Sequence, residues 1–332
     1  MQRRQILQHS GHLLAAAVAA TVAPALVRAQ SYPTRPLRLV VPFPGGGPTD
    51  SFARLYAAAL SQQLGQAVVV DNKAGAGGAL GSMEVRRSGA DGYTLLFGTA
   101  STHALYNLIQ PRPQYDSIED FAYIGVLGGA PVAFAVNNGM PRSLKAVAIA
   151  AKFNPGKYNY GSPGNGTLLH VAAERLKQVT GAPITHVPYK GSAPALQDLI
   201  GGTIEMTVDT LGSLLPHHQG GRLRIMGVAS ARRLAAAPDI PTVTESADLA
   251  QPFEAMLWNV VTAPRDTPQP VLSLLADATQ RAMNDAGLRS KLESQAMFAD
   301  LHTGQKAAVA FVQAERAKWK PIIATLGNLA SG

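Results

Sequence analysis

The run Leu37 to Leu64, LRLVVPFPGGGPTDSFARLYAAALSQQL, constrains the fold more than any other stretch of the 332 residues. Leu37 to Phe43 is apolar, carries β-branched valines and is too short for an independent helix, so it is read as a buried strand. Pro44-Gly45-Gly46-Gly47-Pro48 then breaks the chain with glycines that open backbone angles closed to other residues. Thr49 or Asp50 can cap the helix that follows, on which Phe52, Leu55, Tyr56, Ala59 and Leu60 recur at helical spacing before Gly65 ends it. Strand, bare loop and helix start in that order make a seat for an anion. First-turn N–H groups lack intrahelical partners, and the helix dipole places about half a positive charge there.

Met1 to Ala29 is read as an export signal: Arg3 and Arg4 precede an apolar segment, Leu13 to Leu26, and Val27-Arg28-Ala29 fits a small-residue cleavage site. That segment is shorter than the roughly 20 residues a membrane-spanning helix needs. Arg3-Arg4 leaves the general and twin-arginine export routes both open. The roughly 300 residues beyond exceed a typical single core, so two lobes are expected. The chain has no cysteine, which excludes a disulfide framework and suits a bacterial periplasm. Its formal charge of +8 drops by three once Arg3, Arg4 and Arg28 leave with the signal. The remaining basic residues are scattered, without interleaved aromatics, so nucleic acid is not an expected partner.

The opening unit recurs along the chain. Ala67 to Val70 reads as a strand, Lys73 to Gly78 as a second glycine loop and Ala79 to Arg87 as a helix. This loop misses the G-x-G-x-x-G template, because Leu80 holds the third glycine position, and it lacks a Gly-Lys-Ser/Thr ending, so no nucleotide cofactor is implied. Tyr93 to Phe97 is a strand leading into Gly98-Thr99-Ala100-Ser101-Thr102-His103, whose hydroxyls either cap the next helix or donate to a bound oxyanion. Phe121 to Leu127 and Val132 to Val136 read as two strands broken at Gly128-Gly129-Ala130-Pro131, where a lobe crossing is expected. The same grammar returns at Gly161-Ser162-Pro163-Gly164-Asn165-Gly166-Thr167 before a long helix, and at Tyr189-Lys190-Gly191-Ser192 after the strand Ile184 to Pro188. Ile204 to Val208 is a strand with Asp209 at its carboxyl end, which either faces a ligand crevice or caps the next turn. Met256 to Thr262 is the expected second crossing, followed by helices over Pro268 to Ala286 and Ala307 to Leu326. Alternating strands and helices indicate α/β lobes with mainly parallel sheets.

Catalytic and metal signatures are weak. No Gly-x-Ser-x-Gly elbow occurs, His217 and His218 are adjacent so their side chains diverge, and no His-Glu-x-x-His set is present. His103, His170 and His186 each sit near a candidate loop, either as hydrogen-bonded structural residues or as partners of Ser162 or Ser101 in a hydrolase.

Pro42-Phe43-Pro44-Gly45-Gly46-Gly47-Pro48-Thr49-Asp50, Lys73 to Gly78, Asp91-Gly92-Tyr93-Thr94-Leu95, Tyr160 to Thr167 and His186 to Ala195 follow one another in that order. As an ordered set spanning essentially the whole mature chain they resemble the Bug-type, or TctC-like, extracytoplasmic solute receptors of tripartite tricarboxylate transporters. Gly45 departs from the family's usual second proline, which implies a looser loop. The resemblance implies a type II periplasmic-binding-protein fold with an interlobe cleft, here with residues 31–130 and 256–332 as one lobe and 131–255 as the other. It implies a ligand carboxylate held by Gly46, Gly47, Pro48 and Thr49, by Thr99, Ala100 and Ser101, and by Ser162, Asn165, Gly166 and Thr167, with Asp209 nearby to fix bridging waters or an ammonium group. Phe43, His103, Tyr189 and Trp258 are expected to line the variable part of the pocket. The expected protein is a monomeric periplasmic receptor, without cofactor, metal or catalysis, that passes a small carboxylate to a membrane permease. A receptor that signals through a sensor protein and a periplasmic hydrolase are the alternatives.

Overall fold

The computed structural model describes residues 32–327, 329 and 330, so the expected export signal, 1–29, lies outside the described residues. The chain divides into Met1–Thr34 and Arg35–Gly332, and all that follows concerns the second unit. It begins with strand β1 (Leu37–Val41), helix α1 (Pro48–Leu64), β2 (Val68–Asn72), α2 (Ala79–Arg86) and β3 (Thr94–Thr99). A π-type turn over Ser101–Leu105 leads into the short α3 (Tyr106–Ile109) and then the long strand β4 (Phe121–Val136). Next come α4 (Leu144–Phe153), β5 (Asn159–Ser162), α5 (Leu168–Thr180), β6 (Thr185–Pro188), α6 (Ser192–Gly201), β7 (Met206–Thr210), α7 (Leu211–Gln219), β8 (Arg224–Val228) and α8 (Val243–Ala247). The chain returns through β9 (Met256–Pro264), α9 (Gln269–Asn284), α10 (Ala286–Ser294), β10 (Phe298–Thr303) and α11 (Gln305–Thr325).

Burial explains the first unit. Along β1 every residue but Arg38 is buried, as expected for a strand covered on both faces. Helix α1 packs Phe52 and Tyr56 on Phe97 of β3, with ring centroids 5.6 and 5.8 Å apart, and the Tyr56 hydroxyl meets Thr279 of α9 at 2.7 Å. Gly65, at φ 65°, turns the chain off the end of α1.

The sheet is mixed. β2, β1 and β3 run parallel, as do β7, β5 and β6, whereas β4 and β9 run antiparallel to their neighbours in the middle. β4 belongs to both halves. From Phe121 to Pro131 it pairs with β9; from Val132 to Val136 it pairs with β7 on one edge and β8 on the other. At the change of partner, Val132 donates to the Ala255 carbonyl, Ala255 to Ala229 and Ala229 to Val132, at 2.7 to 3.0 Å.

The two strands expected over Phe121–Leu127 and Val132–Val136 are therefore one, buried at all sixteen positions. Gly128 and Gly129 do not interrupt it. They let neighbouring backbones approach: a Cβ on Gly128 would lie 2.1 Å from the Phe298 carbonyl oxygen, and one on Gly129 would lie 2.0 Å from that of Leu257. Pro131 marks the point where the partner strand changes, which suits a residue with no N–H to donate.

A ring of aromatic and polar side chains, all buried except the half-buried His186, supports the loop between β5 and α5. His186 stacks on His170 (centroids 4.1 Å apart) and on Tyr160 (4.8 Å), and its Nε2 meets the Ser162 hydroxyl at 2.7 Å. The Gly166 amide donates to His170 Nδ1 (3.1 Å) and the Gly164 amide to the Ser162 hydroxyl (3.3 Å). An acceptor nitrogen has to be unprotonated, so this loop needs a neutral His170. Burial supplies that, holding His170 at about 4 and, with His170 as its neighbour, His186 at about 3.

Two outcomes follow from this packing. Gly129→Ala is expected to destabilise the protein by about 3 kcal/mol or more, read as a lower urea midpoint with an unchanged slope, because backbone rather than a flexible side chain must move. Because folding lowers the affinity of both histidines for protons, the unfolded chain binds more of them below pH 6.5. Stability should therefore fall as pH drops from 6.5 toward about 4, with no contribution from these two groups above that window. Urea titrations across that range should show a shallower dependence for His186→Gln than for the wild type.

Candidate ligand-binding site

At the carboxyl ends of the strands, four junctions converge. After β1, Gly46 takes φ 81° and the chain folds over Asp50, which sits inside the loop. Its carboxylate accepts from the Gly46 amide (2.9 Å), Arg54 (2.9 Å) and Asn72 (3.0 Å). Burial opposes ionisation of Asp50, but these donors outweigh it and hold the group below its ordinary value. Asp50 is thus a loop brace. The N-terminus of α1 has no side-chain cap, and Pro48 brings no N–H, so the amides behind it remain available to a ligand.

After β3, the Ser101 amide donates to Thr99 Oγ1 (3.2 Å), and the Ser101 hydroxyl accepts from the Leu168 amide at the start of α5 (2.9 Å). This bond crosses from one half of the sheet to the other. After β5, Thr167 caps α5: its hydroxyl donates to the Gly164 carbonyl (2.7 Å) and accepts from the His170 amide (3.3 Å). After β6, Gly191 at φ 112° starts α6, again without a side-chain cap. A Cβ on Gly191 would lie 3.0 Å from Pro44, so the two rims touch here.

A narrow cavity of about 30 Å³ lies between these junctions, bounded by Phe43, Pro44, Gly47, Pro48, Thr49 and Ser101 from one side and by Pro163, Thr167, Leu169, Gly191 and Ser192 from the other, with Leu257 of β9. Among the described residues no charged side chain lines it. Its accessible lining is almost wholly apolar, and the polar groups at its wall are the hydroxyls of Thr49, Ser101, Thr167 and Ser192 and the starts of α1, α5 and α6. Three helix starts border one volume, which favours an anion even though first-turn amides of α5 already meet Ser101 and Thr167, and Phe43, Leu169 and Leu257 offer a face for hydrocarbon. Among the described residues no group of three acidic or imidazole side chains is placed to hold a metal ion.

Of the residues singled out from the sequence, Phe43, Gly47, Pro48, Thr49, Ser101 and Thr167 share this cavity. Gly46 and Asp209 line an adjoining chamber with Ser192 and His217. Asn165 and Tyr189 border an outer groove with Phe43, and Gly166 sits in the same loop at φ 69°. The remaining five line none of these spaces. Thr99 and Ala100 are fully buried at the end of β3, Thr99 serving the Ser101 amide. His103 is buried against Phe121 and Tyr123, with its Nδ1 on Thr102, and burial together with Arg316 lowers it to about 3. Ser162 is spent on His186. Trp258 points the other way along β9, packing on Phe311 and donating to Glu315 (3.0 Å). Strand alternation explains this: with Trp258 on one face, its neighbour Leu257 takes the other.

Sequence reasoning overlooked Ser192, Gly191, Leu169 and Leu257. Gly191-Ser192 repeats the glycine-hydroxyl grammar at a strand–helix junction, so a signal was present. Leu169 and Leu257 carried none beyond ordinary core hydrophobicity.

The family model described as "Tripartite tricarboxylate transporter family receptor", TctC, matches residues 52–328. The protein BugT of Bordetella pertussis is 37% identical over 276 residues, covering 82% of each chain. A Rhodopseudomonas palustris protein solved with adipate superposes with a TM-score of 0.84 at 34% identity, covering 89% of this chain and 98% of that one. MatC of the same organism, solved with bound malate, gives 0.83 at 29% identity, covering 88% and 100%. Sheet, junctions and relatives agree: the chain belongs to the TctC family of periplasmic solute-binding receptors and has their two-lobed α/β fold.

Proposed function

We propose that the protein captures a small mono-, di- or tricarboxylate between its lobes and delivers it to a membrane permease of the tripartite tricarboxylate type. The observation that carries this reading is the cavity with three helix starts, four hydroxyls and no charged side chain. Such a site holds carboxylate oxygens by amide and hydroxyl donors, and its apolar wall suits the carbon chain of a compound like adipate, the ligand of one relative. We take residues 31–130 with 256–332 as one lobe and 131–255 as the other, hinged where β4 changes partner and where β9 begins. A ligand gripped from both sides gains contacts only when the lobes close, and that differential affinity is what shifts a hinge equilibrium. In this reading residues 1–29 direct export and are removed, and the mature receptor works as a monomer in the periplasm.

A hydrolytic reading has one observation behind it, the contact of Ser162 with His186. That pair lies outside the cavity, with Ser162 fully buried. A sensor protein in place of a permease would use the same closed form.

Native mass spectrometry of protein purified without added ligand should reveal a retained, chemically intact carboxylate; a processed product instead would favour hydrolysis. In calorimetric titrations with adipate and malate, Thr49→Val should weaken binding of whichever compound binds the wild type by about 1 kcal/mol, or roughly fivefold, through loss of a donor, and Thr167→Val should weaken it through loss of the bonds to Gly164 and His170 that shape its loop. Unchanged affinity in both variants would refute the placement of the ligand.

A further inference from the structure

Asp209 is the last but one residue of β7, with its side chain buried, yet among the described residues no basic side chain stands against it. Its partners are neutral donors. The Thr210 amide donates to Oδ1 at 2.6 Å, and the hydroxyls of Ser192, Ser213 and Thr210 stand around the carboxyl group, those of Thr210 and Ser213 also meeting each other at 3.0 Å. Ser192, the first residue of α6, borders both the candidate cavity and the chamber that holds Asp209.

The charged and titratable groups around this chamber are engaged elsewhere. His217 of α7 also lines it, its imidazole lowered by burial and by Arg222. On α1, Asp50 is tied to Arg54, and on α6, Asp198 receives the Tyr189 hydroxyl. Opposite Asp209 on β4 stands Ala133, and β5 brings only Gly161 and Tyr160 into register with β7.

We propose that Ser192 and Asp209 form a proton-dependent selector in the cleft, with Ser192 donating to a ligand carboxylate when Asp209 is protonated and withholding that donor when Asp209 is ionised. A serine hydroxyl has a single proton to give. An ionised Asp209 can only accept, so it takes that proton and leaves Ser192 showing lone pairs to the cavity. A protonated Asp209 is itself a donor, which releases the Ser192 proton toward the ligand. The same switch makes Ser192 an acceptor at higher pH, suited to a ligand hydroxyl or ammonium group. Burial pushes Asp209 up to about 6, against the opposing pull of its hydroxyl and amide donors, which brings the changeover into the range a periplasm experiences.

This inference rests on the carboxylate reading above, and one experiment separates the two. Adipate and malate are titrated calorimetrically into the wild type, Asp209→Asn and Ser192→Ala at about pH 5.5 and about pH 7.5, where titration of the probe itself affects all three proteins alike. Wild-type affinity should fall relative to that of Asp209→Asn by about tenfold between the two values, and the Ser192→Ala protein should show no such extra fall. Equal pH responses in the wild type and Asp209→Asn would overturn the selector while leaving carboxylate binding intact. A wild-type-like response in Ser192→Ala would assign the effect to charge repulsion and overturn the role of Ser192. Should Asp209→Asn fail to fold, titrations of the wild type in buffers of different ionisation enthalpy decide the matter: uptake of about one proton on binding at about pH 7.5 supports the selector, and none overturns it. Absence of binding by both compounds to the wild type at either pH would defeat the carboxylate reading and this inference with it.

Discussion

Backbone hydrogen bonding along β4 sets the rest of the structure. Sixteen consecutive buried residues must satisfy their N–H and C=O groups from neighbouring strands, and no single neighbouring strand supplies partners for all of them. The strand resolves this by serving β9 and β10 over its first part and β7 and β8 over its second. Both halves of the molecule are anchored on one piece of chain. The ends of the parallel strands on either side then look toward a common gap, and the helix starts that follow them come to face one another.

That geometry accounts for how the proposed anion site is built without cations. A lysine or arginine in the gap would bind an anion strongly but would stand as a desolvated charge whenever the site was empty or closed on something neutral. Dipole ends and hydroxyls carry partial charges already satisfied in part by water or by each other, as Ser101 and the Leu168 amide show. The nearest carboxylates point elsewhere: Asp50 knots its own loop, and Asp209 sits one side chain behind the wall.

The legibility of the chain follows the physics of each segment. Strand–glycine–helix junctions announce themselves locally, because φ values such as the 81° of Gly46 and caps such as Thr167 depend on adjacent residues. The fold class and the junction residues Thr49, Ser101 and Thr167 were legible for that reason. Gly128 and Gly129 misled, since a glycine needed for close approach of another backbone looks the same in sequence as one that ends a strand. Helix α7 was hidden by Gly212 and Pro216, two residues that argue against a helix locally and are tolerated only in the assembled protein. His103 and Trp258 stand away from the cavity because which face a side chain takes depends on register, and register is set by strands distant in the sequence.

Gly191 carries nothing beyond a hydrogen on the side that meets Pro44, and the rims come together at that point. Any side chain at position 191 would have to wedge Pro44 away, so the closeness of the two rims depends on the one residue that has none.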